Sequence, residues 1–156
     1  MAMTMTGEVL LPASREVVWQ KLNDAETLKA SIPGCESLEQ LSPTEFQAVA
    51  KVKIGPVSAR FKGRVMLQDI DAPNGYRLQG EGEGGVAGFA KGGATVRLEE
   101  APEAQTLLKY DVEATVGGKI AQLGGRLVNS VAKKTADQFF DNFSKIVSEG
   151  SAGSVT

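Results

Sequence analysis

Histidine is absent from the 156 residues, and cysteine occurs once, at Cys35. A Ser-His-Asp or Cys-His nucleophile cannot be assembled from this set. Neither can a zinc site of the usual His/Cys kind. Acid–base chemistry near neutral pH would fall to a strongly perturbed carboxylate or lysine. Cys35 follows Pro33-Gly34 and has only Lys29 close in sequence to lower its pKa. It reads as a small buried hydrophobe rather than a nucleophile. No residue is therefore expected to be catalytic or to bind metal, and the expectation moves from an enzyme toward a binding module.

Three other groups of residues could carry function. The run from Gly80 to Gly93 is half glycine and contains a Gly-x-Gly-x-x-Gly match at Gly80, Gly82 and Gly85. A dinucleotide fingerprint needs a strand before it and a helix after it in a parallel unit. Here the setting is antiparallel, and Glu81 and Glu83 would repel a pyrophosphate. The run reads instead as strand bends, with Phe89 at the tip as the mobile rim of a pocket. The second group is a basic ribbon, Lys51, Lys53, Arg60, Lys62 and Arg64, on one face of a hairpin. Glu81 and Glu83 on the next strand could pair with Arg64. The ribbon reads as a solvated face, or as a docking patch for an acidic protein or an anionic membrane. The third is Tyr110, a polar tip on an otherwise apolar strand face.

The elements that must position these residues are legible from periodicity. Met5, Gly7, Val9 and Leu11 alternate with Thr4, Thr6, Glu8 and Leu10 as a first strand. Ser14 and Asp24 are candidate N-caps for two short helices. From Cys35 the period becomes two. Around the Gly55-Pro56 turn, Ile54 should face Val57, Val52 should face Ala59 and Ala50 should face Phe61. Slipping that register by one residue would spoil the apolar match. Strands around Tyr76–Gly82, Ala94–Leu98 and Thr106–Val116 follow. Ile120, Leu123, Leu127, Val131, Phe139, Phe143 and Ile146 then mark one helix over Lys119–Glu149, stopped by Gly150. At about 1.5 Å per residue it would run roughly 45 Å.

Each strand has one apolar face, and the last helix alone is long enough to cover so much inner sheet. The expected fold is α+β of helix-grip type. A strongly curved antiparallel sheet of about seven strands wraps a long C-terminal helix, with two short helices after strand one. Residues 1–149 form one domain and 150–156 a flexible end. Ala48, Ala50, Ala59, Gly63, Gly80, Gly82 and Ala94 point inward opposite Gly124 and Gly125. That seam reads equally as close packing or as an apolar cavity. The half of the helix around Leu123–Leu127 should wall the pocket, and the half from Phe139 should be the packed anchor. The net charge of −2 and the lack of a basic block argue against nucleic acid. The absence of a secretion signal or spanning segment, with one cysteine, points to the cytoplasm.

The chain resembles the CoxG family of carbon monoxide dehydrogenase proteins, within the START-like helix-grip (SRPBCC) superfamily. The resemblance covers nearly the whole chain. It is carried by Val18-Trp19 with Leu22-Asn23-Asp24, and by Ile32-Pro33-Gly34-Cys35. Lys53-Ile54-Gly55-Pro56-Val57 with Phe61-Lys62-Gly63, Gly80-Glu81-Gly82, and Thr106-Leu107-Leu108 with Tyr110 continue it. Gly117-Gly118-Lys119-Ile120-Ala121-Gln122-Leu123-Gly124 and Phe139-Phe140 complete it. It implies an apolar cavity and an accessory role for a molybdenum hydroxylase of the aerobic carbon monoxide dehydrogenase type. It further implies quinone or lipid as the bound ligand and recruitment of the enzyme to the inner face of the membrane. Many members carry a C-terminal apolar anchor, which these residues do not include.

The expected ligand site comprises Phe61, Leu78, Phe89, Tyr110, Leu123, Leu127 and Val131, with Tyr110 donating to a ligand oxygen. Lys51, Lys53, Arg60 and Lys62 are the expected partner or membrane contacts. No covalent or metal cofactor is expected. The alternative is a START-like cyclase or hydrolase acting on an aromatic or polyketide-like substrate. It needs inward acids or bases, of which only Asp69, near a strand edge, is a candidate. A third reading is an assembly factor whose basic ribbon meets a hydroxylase protein.

Overall fold

Alternating apolar and polar residues make strands with one wet face, and seven of them pair into a single sheet. A computed structural model describes the backbone of residues 1–153 and the side chains of residues 1–148. The elements are β1 (Ala2–Leu11), α1 (Arg15–Leu22), α2 (Ala25–Ser31), β2 (Cys35–Ser42), β3 (Glu45–Ile54), β4 (Val57–Asp71) and β5 (Gly75–Glu83). A 3-10 turn (Gly85–Ala87) leads to β6 (Phe89–Ala101), β7 (Gln105–Gly117), α3 (Lys119–Gln122) and α4 (Gly125–Gly153). The sheet is antiparallel and open, in the order β1-β7-β6-β5-β4-β3-β2. The helices lie on its inner side. This is the helix-grip arrangement, with the long helix held in a curved sheet.

Local chemistry sets the boundaries. The Ser14 side chain accepts from the Val17 amide at 3.3 Å, and Asp24 Oδ2 accepts from the Thr27 amide at 3.1 Å and its hydroxyl at 2.6 Å. These caps satisfy N–H groups that a helix start leaves without partners. The β3–β4 hairpin has the register expected from its apolar faces, with Ile54 opposite Val57, Val52 opposite Ala59 and Ala50 opposite Phe61. A slip between Gln68 and Asp71 bends β4 against β5. Asp69 sits in that bulge with φ 48 and is exposed, so it is not an inward acid.

The terminal helix differs from the expected single rod. It is broken at Leu123-Gly124 into α3 and α4. Gly124 has φ +96, and its amide donates to the Ala121 carbonyl at 3.2 Å, ending the short helix. The Val128 amide then donates to the Gly124 carbonyl at 3.2 Å, starting the long one. No other atom crowds the Cβ position of Gly124 within 4 Å. This glycine therefore serves the left-handed backbone of the break, not close packing against the sheet. Gly124→Ala is expected to cost about 1–2 kcal/mol, read as a lower urea midpoint with an unchanged slope. At the other end α4 continues through Gly150 to Gly153. Beyond Gly153 the flexible end expected over 150–156 lies outside the described residues.

The core falls into two clusters. The larger gathers Leu11, Val18, Leu22, Phe46, Leu67, Tyr76, Val96, Leu98, Leu108, Phe143 and Val147. Phe143 and Val147 are fully buried there, and Asn142 Nδ2 donates to the Ser31 carbonyl at 3.1 Å, tying α4 to α2. The smaller joins Ile54, Val116, Ile120 and Val128, with Val57, Phe61, Leu123 and Leu127 packed against it. It plugs the end where the β3–β4 turn, the 3-10 turn and the α3–α4 break meet.

Candidate ligand-binding cavity

Between the two clusters α4 stands off from the glycines of β4 and β5. Side chains built at the inward positions Gly63, Gly80 and Gly82 would meet only neighbouring strand atoms, and no helix atom within 4 Å. Interiors are normally packed to crystal-like density, so this gap decides between a packed seam and a void. The void measures about 620 Å³, within the range of small-molecule sites. Ala48, Gly63, Ala90 and Ala94 supply the low sheet wall, while Val128, Val131, Ala132, Ala136, Phe139 and Phe140 supply the helix wall. Leu28 and Ile32 close the side under α2.

Of the seven residues expected at the ligand, Leu78, Tyr110 and Val131 line this cavity. The other four lie elsewhere. Leu123 and Leu127 belong to the smaller cluster, and Leu127 Cδ2 packs 3.0 Å from the Cβ position of Gly55. Phe61 joins the same cluster and lies against Gly84. Phe89 is on the opposite face. The period of two resumes at Ala90, which turns inward, so Phe89 turns outward and lays its ring over Gly117. The exposed tip is Val86, 82 % accessible. The helix division is shifted as well. The cavity sits against Val128–Phe140, so Phe139 and Phe140 serve as wall while also packing against the larger cluster, and full burial begins at Phe143.

Two tyrosines bring the polar groups. Tyr110 stacks on Phe140, with ring centroids 5.4 Å apart. Its hydroxyl does not point into the centre of the void. It crosses over Gly7, its register partner on β1, where any side chain would collide with it. Tyr76 is the second, and alternation alone gives it no special role. It lines the cavity, is 6 % exposed, and meets Trp19 edge-on at 5.2 Å. Burial holds its pKa well above the ordinary 10.0, because a buried phenolate would lose its hydration. Above pH 10 the unfolded chain gives up this proton while the folded chain keeps it. Stability should thus be flat below pH 10 on this account and fall above it by about 1.4 kcal/mol per pH unit. Tyr76→Phe is expected to remove that share of the alkaline loss in denaturation series at pH 9 to 11.

The basic ribbon is partly neutralised. Arg60 pairs with Glu36 at 2.7 Å, and Arg64 with Glu45 at 2.8 Å. Arg64 stands opposite Glu81 in the sheet but does not bond to it, because Glu45 on the other neighbouring strand is the partner taken. Lys51, Lys53 and Lys62 have no ion-pair partner among the described residues. Lys51 lies directly across from Arg60, a like-charge arrangement that costs stability unless something offsets it. Cys35 is half-buried, and its thiol pKa is pushed up by that burial against the pull of Lys29. Among the described residues no group of three or more acidic, cysteine or histidine side chains could hold a metal.

The family model for CoxG, a component of carbon monoxide dehydrogenase, matches residues 7–148. The chain belongs to the CoxG family. No curated protein matches it. Among solved structures, a conserved protein from Geobacillus kaustophilus superposes on this CoxG-family chain with TM-score 0.88 at 32 % identity, covering 94 % of this chain and 96 % of that one. A START superfamily protein from Mycobacterium smegmatis gives TM-score 0.71 at 17 % identity, covering 94 % and 97 %. The Zhui aromatase/cyclase from Streptomyces sp. R1128 gives 0.70 at 12 %, covering 94 % of each chain. At such low identity the last two show the shared fold alone. In this CoxG-family chain, Leu28, Ile32, Phe46, Ala132 and Ala136 also line the cavity, and sequence patterns do not single them out. They come from several different elements, and no single periodicity places them together.

Proposed function

We propose that this CoxG-family chain is a non-enzymatic accessory protein of an aerobic carbon monoxide dehydrogenase-type molybdenum hydroxylase. It holds an apolar ligand, a quinone, between α4 and the inner sheet and helps bring the enzyme to the membrane. One observation carries the reading: a cavity of about 620 Å³ whose wall is almost wholly aliphatic and aromatic. Burying apolar surface at about 25 cal/mol per Å² favours a hydrocarbon occupant there. The tyrosine hydroxyls add the sparse polar contacts that orient a ligand. The unpaired Lys51, Lys53 and Lys62 suit an acidic partner surface or an anionic membrane. Among the described residues no helix is long and apolar enough to cross a membrane, so membrane contact by these residues would be peripheral.

A cyclase or hydrolase would draw on acids and bases inside the void. Arg64 and Glu81 reach its wall, but they sit on outward positions of β4 and β5 and are exposed. This arrangement fits holding a ligand better than transforming one. Native mass spectrometry of gently purified protein tests the proposal. The expected spectrum contains a bound species with the mass of a quinone or other lipid, lost on denaturation. A spectrum of the bare chain, together with no uptake of added alkyl quinone, would sink it.

A further inference from the structure

The borders of the cavity differ in make. At the loop end it is lined by Ile54, Val116 and Val128 of the smaller cluster. Gly88 and Gly118 bring the backbones of the 3-10 turn and α3 together behind them. The seam between β1 and α4 forms another border. A surface groove of about 380 Å³ runs there, bordered by Glu8, Val9, Lys133, Asp137, Asp141 and Ser144. Tyr110 and Phe140 line this groove and also the inner cavity. The stacked ring pair is therefore a partition shared by the two spaces. β1 is an edge strand, so no further strand lies across the seam.

We infer that the β1–α4 seam is the portal and head-group site of the cavity. The Tyr110–Phe140 pair parts to admit a long apolar chain, and a neutral head bearing carbonyl or hydroxyl oxygens stays at the seam, held by the Tyr110 hydroxyl and Lys133. The inference rests on the cavity reading above. Gly7 is what allows the Tyr110 hydroxyl to reach the seam, since any Cβ there would occupy its place. Lys133 donates to Asp137 at 2.8 Å, and an ammonium keeps further protons for a second acceptor.

The charge around the groove selects the head. Glu8, Asp137 and Asp141 line the groove with Lys133, and of these Asp137 bonds to it. Lys109 stands opposite Glu8 across β1 and β7 but is held by Glu99 at 2.8 Å. Carboxylates thus outnumber the available ammonium, and a carboxylate head would meet net repulsion. An alkylated quinone satisfies both demands, being uncharged and an acceptor at its carbonyls. A fatty acid satisfies only the demand of its chain.

Trp19 is the sole tryptophan and touches Tyr76 on the cavity wall, so its fluorescence reports uptake. The probes are a decyl-substituted benzoquinone, which quenches, and oleate for comparison. In a Cys35→Ser background, Asp137→Cys capped with a bulky maleimide blocks the seam, and Val86→Cys capped likewise blocks the loop end. Stopped-flow mixing should show quinone uptake slowed at least tenfold by the seam cap and unchanged by the loop cap. Seam-capped protein that takes up quinone within threefold of the uncapped rate overturns the portal, as does a loop cap that slows uptake as much. Wild-type protein should bind the quinone at least tenfold more tightly than oleate, and Tyr110→Phe should narrow that preference. Equal or tighter oleate binding overturns the neutral head. If the wild type takes up neither probe, the cavity reading itself fails. Uptake indifferent to the seam cap removes only the portal.

Discussion

Filling the cavity should abolish ligand binding while leaving the fold intact or stronger. Ala132 on α4 and Ala94 on β6 line the void from its helix and sheet sides. The double substitution Ala132→Phe with Ala94→Leu puts side-chain carbon where a ligand would sit. Calorimetric titration with the decyl-substituted benzoquinone is expected to lose at least tenfold in affinity, about 1.4 kcal/mol. The new side chains should gain dispersion contacts that the void denies their neighbours. Cavity-filling changes commonly add about 0.5–2 kcal/mol, which for a chain of this size raises Tm by a few degrees. Loss of binding with a raised Tm separates a filled site from a damaged fold. If binding persists, the ligand lies elsewhere.

Phe143→Ala should produce the largest loss of stability of any single truncation discussed. Phe143 is fully buried and stacks on Phe139 with centroids 5.8 Å apart. Deleting it removes an aromatic ring from the junction of α4 with the larger cluster and leaves a hole. The expected cost is about 3–5 kcal/mol, a large part of the roughly 5–15 kcal/mol that holds a domain together. Urea unfolding should show the midpoint fall accordingly. Phe89→Ala is the control. That ring is 39 % exposed and lies on the outer face, so its loss should cost much less. Similar costs for the two would mean that α4 is not anchored through Phe143.

How far the sequence reveals this structure depends on the kind of signal. The β3–β4 register follows from alternation and one Gly-Pro turn, and the long helix from a 3.6 period over many residues. Both signals are repeated many times within one element, so single exceptions do not obscure them. The break at Gly124 is a single backbone angle, and Leu123 and Leu127 continue the helical spacing across it. Periodicity is blind to such a break. Phe89 lies on the outer face and not at a pocket rim, and the glycines before it carry no alternation from which to count. Phe61 has the inward face that alternation predicts, yet lies in the plug and not in the void. Facing inward and facing a cavity differ by where the helix departs from the sheet, which is a tertiary fact. Tyr76 shares its inward face with Leu78 and gains its interest only through the depth of its burial.

The most direct measurement of the central claim is a methyl-resolved NMR titration with the decyl-substituted benzoquinone. Shifts should concentrate on methyl groups of Leu28, Ile32, Leu78, Val112 and Val131, all on the cavity wall, with little change at Val86 or Ile70, which are exposed. Shifts confined to those exposed groups, or none at saturating quinone, would contradict a ligand held between helix and sheet.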